Sequence, residues 1–259
     1  MLIQAIPIFK EGGLLRQSML QALSDHAFLA NQLLYKGYGN GILSGCELTT
    51  TEDTIWLKEG IIFYAGQMYL ITEPASVEYK PANTTMVMKI HFSDTLQDAN
   101  FYYCEMDVFL TGETKLQKGE LELCRFKLQD GARLRYQYQN FEDRCTEFDT
   151  LNTIHAAYSA RGESTLGPQI LRDFAAEMLT LEELSDLDTL FCMQILGQER
   201  NLNKAAIVAY LERKKKEKLE DTSNLSIYRE LERIIRVERN GVQPGEEKPV
   251  RRKWSMQIE

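Results

Sequence analysis

A chain of 259 residues, 44% hydrophobic and 26% charged, has the make-up of an ordinary folded protein, long enough for one large core or two modest ones. Its 6 prolines and 16 glycines exclude collagen-like and mucin-like architectures, and no apolar run approaches the roughly 20 residues that a bilayer-crossing helix needs. A formal net charge of -8 argues against nucleic acid as the general partner, because neutralising phosphate takes a basic surface.

The opening segment, Met1 to Ile8, lacks the basic start and small-residue cleavage site of a secretory signal, and Pro7 interrupts it, so synthesis in the cytoplasm is expected. From Gly13 to Tyr35 apolar residues recur at helical spacing: Leu15, Met19, Leu20, Leu23, Ala27, Leu33 and Leu34. One amphipathic helix follows, ending where Gly37, Gly39 and Gly41 favour turns. Beyond Gly41 the pattern shortens to strands, rich in β-branched and aromatic residues, expected near 41-48, 54-58, 60-64, 67-72, 76-80, 85-92, 101-110, 120-128 and 132-138. Alternation between Phe101 and Val108 would put Tyr102, Cys104, Met106 and Val108 on one face and Glu105 and Asp107 on the other. Consecutive short strands without intervening helices indicate an antiparallel sandwich or small barrel, not a parallel nucleotide-binding sheet.

Residues 141-167 interrupt both periodicities and read as a connector between a first unit, 1-140, and a helical unit, 168-240. Pro168 suits the first turn of a helix over about 168-179. Ser185 and Asp188 resemble a capping box ahead of Leu187, Leu190, Phe191 and Ile195, with Gly197 as a stop. Asn203 is placed to cap a helix from Lys204 into the basic run Arg213 to Lys218, and a last helix spans about 224-238 with Leu225, Tyr228, Leu231, Ile234 and Ile235 in one stripe. Residues 241-259 read as an extended basic tail in which Arg251, Arg252, Lys253 and Trp254 form a docking peptide. The fold class is therefore α+β: an N-terminal helix and antiparallel β domain followed by α-helices.

Chemistry-bearing patterns are sparse. There is no GxxxxGK[ST] loop, and Gly37-x-Gly39-x-Gly41 precedes a strand where a phosphate loop would precede a helix. Ser44 lacks the glycine two residues before it that a nucleophile elbow requires. Cys46, Cys104, Cys124, Cys145 and Cys192 are odd in number with no CxxC, and His26, His91 and His155 stand apart, so reduced core thiols are expected and no metal site or cofactor. Pairing of Cys145 with His155, or Cys104 with His91, has no local activating feature. Glu120 and Glu122 read as a solvated strand face, and Glu182 and Glu183 as carboxylates at a helix start. Arg213 to Lys218 reads as a solvated helix end, with polyanion binding as the alternative. Tyr64, Tyr69, Tyr79, Phe101, Tyr102, Tyr103, Tyr136 and Tyr138 read first as core, second as a protein- or carbohydrate-contact surface.

The stretch from Gly41 to Leu48, then Thr54 to Leu70, carries a denser pattern: strand, strand, glycine, strand, tight glycine turn, strand, with Gly45, Gly60 and Gly66 at the turns. It resembles the small attachment domains of phage tail-fibre and baseplate proteins, and components of prophages and phage-tail-like particles. The resemblance implies a non-catalytic structural or adaptor protein with other tail or baseplate proteins as oligomeric partners, made in the cytoplasm and built into the particle. The alternative is a regulatory or scaffold protein whose basic C-terminal segment binds nucleic acid or an acidic partner.

Overall fold

A computed structural model describes residues 5-240. The first helix, α1 (Gln17–Leu34), is followed by β1 (Gly41–Gly45), β2 (Leu48–Thr50), β3 (Thr54–Leu57), β4 (Gly60–Tyr64), β5 (Gln67–Ile71) and β6 (Ala75–Glu78). Next come β7 (Ala82–Phe92), β8 (Leu96–Gln97), β9 (Tyr102–Tyr103), β10 (Met106–Thr111) and β11 (Glu120–Leu128). After a 3-10 turn at Glu142–Cys145 come β12 (Tyr158–Ser159), β13 (Ser164–Thr165) and four helices, α2 (Pro168–Met178), α3 (Asp186–Gly197), α4 (Lys204–Lys215) and α5 (Asn224–Asn240). The fold is mixed α+β, and none of the sheets among the described residues closes into a barrel.

The strands form a five-stranded sheet β13-β12-β1-β4-β5, two three-stranded sheets β10-β7-β11 and β2-β3-β6, and the small hairpin β8-β9. All pairings are antiparallel except β1 with β12, whose parallel register sets Ile42 beside Tyr158. Their inner faces share one core, in which Ile42, Ile55, Leu57, Ile62, Met88, Ile90 and Leu123 are almost wholly buried.

Three glycines shape the β1 to β5 region. Gly45 lies at φ +66, and a Cβ on it would meet the Glu59 carbonyl oxygen at 2.3 Å; a Cβ on Gly60 would meet Cys46 N at 2.4 Å. The two chain segments thus cross at backbone contact. Ala65 and Gly66, both at positive φ, make the two-residue connection from β4 to β5 in the twist sense that antiparallel strands favour.

The strand expected over 41-48 is broken, because Gly45 and Cys46 both take positive φ and send β2 into a different sheet from β1. Residues 101-110 divide into β9 and β10, and Tyr102 is exposed, not on a shared inner face with Met106. No strand forms over 132-138. Arg135 instead makes a single bridge to Thr150, and its guanidinium bonds Asp143 through two nitrogens at 2.5 Å each.

The helices enclose a second core around Phe174, Tyr210, Tyr228 and Leu231, joined by Phe141, Ile154 and Leu166 from the preceding segment. Pro168 opens α2, and the Ser185 hydroxyl accepts from the Asp188 amide at 3.3 Å to cap α3. Asn203 precedes α4 without a side-chain capping bond, its expected role. Leu190, expected in the buried stripe of α3, is exposed, since α3 meets α2 through Phe191, Cys192 and Ile195. Amide side chains tie the helices to the sheet: Asn201 Nδ2 donates to the Ile42 carbonyl at 3.0 Å and the Ser159 carbonyl at 2.9 Å, and Asn224 Nδ2 to the Ala156 carbonyl at 2.9 Å.

Candidate functional site

A cleft of about 580 Å³ opens where β1 and the segment around Tyr138 meet α2. Arg144 lies buried in its wall, paired with Asp173 and stacked over the Tyr138 ring at 4.0 Å. Burial pushes the Cys46 thiol up to about 12, so it is no thiolate nucleophile at neutral pH, and the Tyr158 phenol up to about 12 as well. The one cation of the wall is already spent on Asp173 and Tyr138. The charged side chains that line this cleft, Glu47, Arg144 and Asp173, are each in an ion pair, Glu47 with Lys58 and Arg144 with Asp173.

The cysteine-histidine pairs weighed from sequence are not joined. Cys104 Sγ accepts from Gln67 Nε2 at 2.6 Å, and Cys145, its thiol raised chiefly by burial, lies against Tyr228. His155 is half-buried, and burial together with nearby Arg125 lowers its pKa. All five cysteines are free, with Cys46, Cys124 and Cys192 buried. Among the described residues no group of three His, Cys, Asp or Glu side chains could hold a metal ion, and no helix is long and apolar enough to cross a membrane.

The carboxylates and lysines read as solvated turn out differently. Glu122 is buried and takes two hydrogen bonds from Arg125 at 2.7 Å each. Glu120 accepts from the buried Lys89 at 2.9 Å and from the Gln117 amide at 2.8 Å; the amide bond first, partly offset by burial, and then Lys89 hold its carboxyl below the usual range. The turn before β11 is fastened by this pair, since Lys89 also donates to the Lys115 carbonyl at 2.7 Å. Glu182 and Glu183 are exposed. In the basic run of α4, Lys214 bonds Asp188 at 2.8 Å and Glu238 at 2.6 Å, and Lys215 bonds Glu230 at 3.2 Å. Those two charges link helices to one another. The docking peptide Arg251, Arg252, Lys253 and Trp254 lies outside the described residues.

The unspent chemistry of this chain is apolar and lies at the N-terminus. Of the 22 large hydrophobic side chains exposed among the described residues, 11 fall between Ile6 and Leu34. Helix α1 buries no residue at all. Leu23 is 47% exposed and Leu33 70%, figures normal for a lysine and costly for a leucine. A second, smaller patch sits at the β8-β9 hairpin, where Asp98 accepts from the amides of Asn100 and Phe101 and from the Tyr103 hydroxyl, presenting Leu96, Phe101, Tyr102 and Tyr103 outward. A third lies on α3, with Leu190, Met193 and Leu196. Of the aromatic side chains read first as core, Tyr69 and Tyr79 are buried, Tyr64 stacks on Phe92 at 4.5 Å, and Phe101, Tyr102 and Tyr103 are exposed. Period 3.6 alone predicts the α1 stripe but does not say that nothing among the described residues buries it.

No family model matches the chain, and no curated protein matches it significantly. Solved structures similar to the chain include two. One is described as a crystal structure of TssK, at 11% identity over 93% of this chain and 70% of that one, with a TM-score of 0.42. The other, described as the baseplate complex from the type VI secretion system, is 10% identical over 90% of this chain and 100% of that one, with a TM-score of 0.33. Scores this low do not establish a common fold.

Proposed function

We propose that this chain is a non-catalytic structural subunit that holds a phage-tail-like baseplate together by docking onto its neighbours. The observation that carries the reading is the N-terminal apolar segment from Ile6 to Leu34, whose leucines and phenylalanines meet no core of their own. Contiguous apolar surface on this scale costs about 25 cal/mol for each Å² left in water, and in folded proteins it marks an interaction site. The strand and glycine pattern from Gly41 to Leu70, with its resemblance to tail-fibre and baseplate attachment domains, supplies the kind of assembly. The partners are then other tail or baseplate proteins, and the final location a tail-like particle.

Finer parts belong to the same proposal: the β-rich unit 1-140 docks, the helical unit 168-240 packs on a further subunit, and Arg251 to Trp254 adds a peptide contact. A nucleic-acid scaffold draws less support, because Lys214 and Lys215 in the α4 run are engaged by Asp188, Glu238 and Glu230.

The test is co-expression of the chain with the products of its neighbouring genes, followed by sedimentation, for the full chain and for a variant lacking residues 1-34. The full chain is expected in a large, defined complex, with the shortened form left behind. A full chain that never enters a complex with those products overturns the proposal.

A further inference from the structure

Between β7 and β10 the chain runs out into the β8-β9 hairpin, an apolar surface that comes with charge. From the pair Phe92 with Met106 to the pair Leu96 with Tyr103, the first strand takes four steps and the second three, so the ladder carries one extra residue, the kind of bulge that bends a strand pair. Leu96 and Tyr103 stand opposite each other and share a face, which Phe101, two residues before Tyr103, extends. The Phe101 and Tyr103 rings lie 6.1 Å apart and are inclined at 56°. Tyr102 takes the other face with Gln97. Phe101 is 64% exposed and Tyr102 71%, although Asp98 fixes the turn beneath them. It accepts from the Asn100 and Phe101 amides at 2.7 Å each and from the Tyr103 hydroxyl at 2.8 Å. The tip is therefore ordered before anything docks on it, which lowers the entropy lost on binding.

Charge names the occupant. From Ile90 to Thr114 the sequence holds no lysine or arginine and one histidine, His91, opposite Asp107 in the ladder. Asp94, Asp98, Glu105 and Asp107 are exposed, and none of them is in an ion pair among the described residues. Carboxylates around an aromatic tip repel nucleic acid, an anionic membrane surface and the same tip of another copy. They attract lysine and arginine, and arginine also stacks on tyrosine and phenylalanine rings. The inclined rings of Phe101 and Tyr103 form no flat platform for a sugar.

We propose that the β8-β9 hairpin is a docking finger for a cationic segment of a partner protein. Leu96, Phe101, Tyr102 and Tyr103 are covered by the partner's apolar and arginine side chains, and Asp94, Glu105 and Asp107 meet its basic rim. Asp98 shapes the tip. The finger adds a second docking surface to the assembly reading and stands without the N-terminal segment.

The experiment measures binding to the full chain, by fluorescence anisotropy, of two short labelled peptides that share their apolar residues and differ in carrying arginine or glutamate. Phe101→Ser with Tyr102→Ser removes the exposed rings. Asp94→Asn, Glu105→Gln and Asp107→Asn together remove the rim and spare Asp98. Glu182→Gln, Glu183→Gln and Glu199→Gln, all exposed, remove the same charge elsewhere as a control. The arginine peptide is expected to bind, less tightly as salt is raised, and the glutamate peptide is not. The ring and rim variants each weaken binding at least roughly tenfold, the control leaves it unchanged, and thermal melting stays constant because every substituted side chain is exposed. No binding of the arginine peptide overturns the proposal, as does binding that the ring variant leaves intact or that the control weakens equally. Binding that appears only once Arg251, Arg252 and Lys253 are changed to serine assigns the finger to this chain's own tail and also overturns it. Co-expression with neighbouring gene products separates the two readings. A chain that binds the arginine peptide at the hairpin yet enters no complex sinks the baseplate reading alone, and one that assembles but binds neither peptide sinks the docking finger alone.

Discussion

Helices α1 and α5 are nearly equal in length, 18 and 17 residues, and both carry an apolar stripe at helical spacing, yet they end in opposite situations. In α5 the stripe of Ile227, Tyr228, Leu231, Ile234 and Ile235 is buried, and the other face carries Arg229, Glu230, Glu232, Arg233, Arg236, Glu238 and Arg239. That charged face is fastened outward: Arg236 bonds Glu142 at 3.0 Å and Glu232 at 3.1 Å, and Arg239 pairs with Glu177. In α1 the stripe is open, and the rest of the helix carries glutamine, serine and asparagine, one carboxylate and one histidine, together with the exposed Phe28 and Leu29. A helix meant to meet water in this chain is heavily charged. Beyond the exposure itself, the near-neutrality of α1 supports the proposal that it is a docking element.

The sharpest way to break the comparison is to cut what pins α5 into the bundle. Lys214 of α4 bridges Asp188 of α3 and Glu238 of α5, and the Tyr210 hydroxyl donates to Asp188 at 2.7 Å. Asp188→Ala strands the buried Tyr210 phenol and leaves Lys214 with Glu238 alone, so the lost hydrogen bonds to a buried carboxylate are expected to cost about 3–5 kcal/mol in urea unfolding. A loss under about 1 kcal/mol would mean that the network is incidental to the bundle.

Leu231→Ala removes a wholly buried side chain from the α5 stripe, with an expected cost of about 2–5 kcal/mol in the same measurement. The position was legible from sequence, as were the four C-terminal helices, because a helix that closes on its own chain shows both an apolar and a charged face. Other positions were not legible. Alternation made Glu122 look solvated, yet Arg125 reaches over it and buries it, a contact made three residues along a bulged strand that no periodicity encodes. Alternation likewise suggested a strand at 132-138, but a strand needs a continuous neighbour and this segment finds only Thr150. The break after Gly45 escaped because Cys46 takes φ +58, a conformation that side-chain type does not announce. For α1 the stripe was plain and its partner was not, since periodicity reports that a face must be covered and never by which molecule.

Acid should loosen the two regions unequally. Burial alone would raise Asp188, but hydrogen bonds from Lys214, Ser185 and Tyr210 outweigh it and hold the carboxyl below its ordinary value. A carboxyl depressed in the folded state gives stability that is complete above its unfolded value, near about 4, and is lost as pH falls through the depressed folded value. The urea midpoint is expected to fall on acidification below about pH 4, and Asp188→Asn, which cannot titrate there, to flatten part of that fall. A profile identical for the variant and the natural chain would remove Asp188 from the acid response.

The smallest effect on stability is expected from the counterpart of Leu231 on the open helix. Leu23→Ala deletes the same atoms from the same kind of apolar stripe, but at a position that touches no core, so the body should unfold within about 0.5 kcal/mol of the natural chain. The measurement belongs at protein concentrations low enough that any association through α1 is absent, because an associated form would add its own free energy to the midpoint. A loss of about 2 kcal/mol or more there would place Leu23 in a core contact and erase the difference between the two helices. A loss that appears only as the protein concentration rises would instead separate a helix that serves its own fold from one that serves a contact between chains.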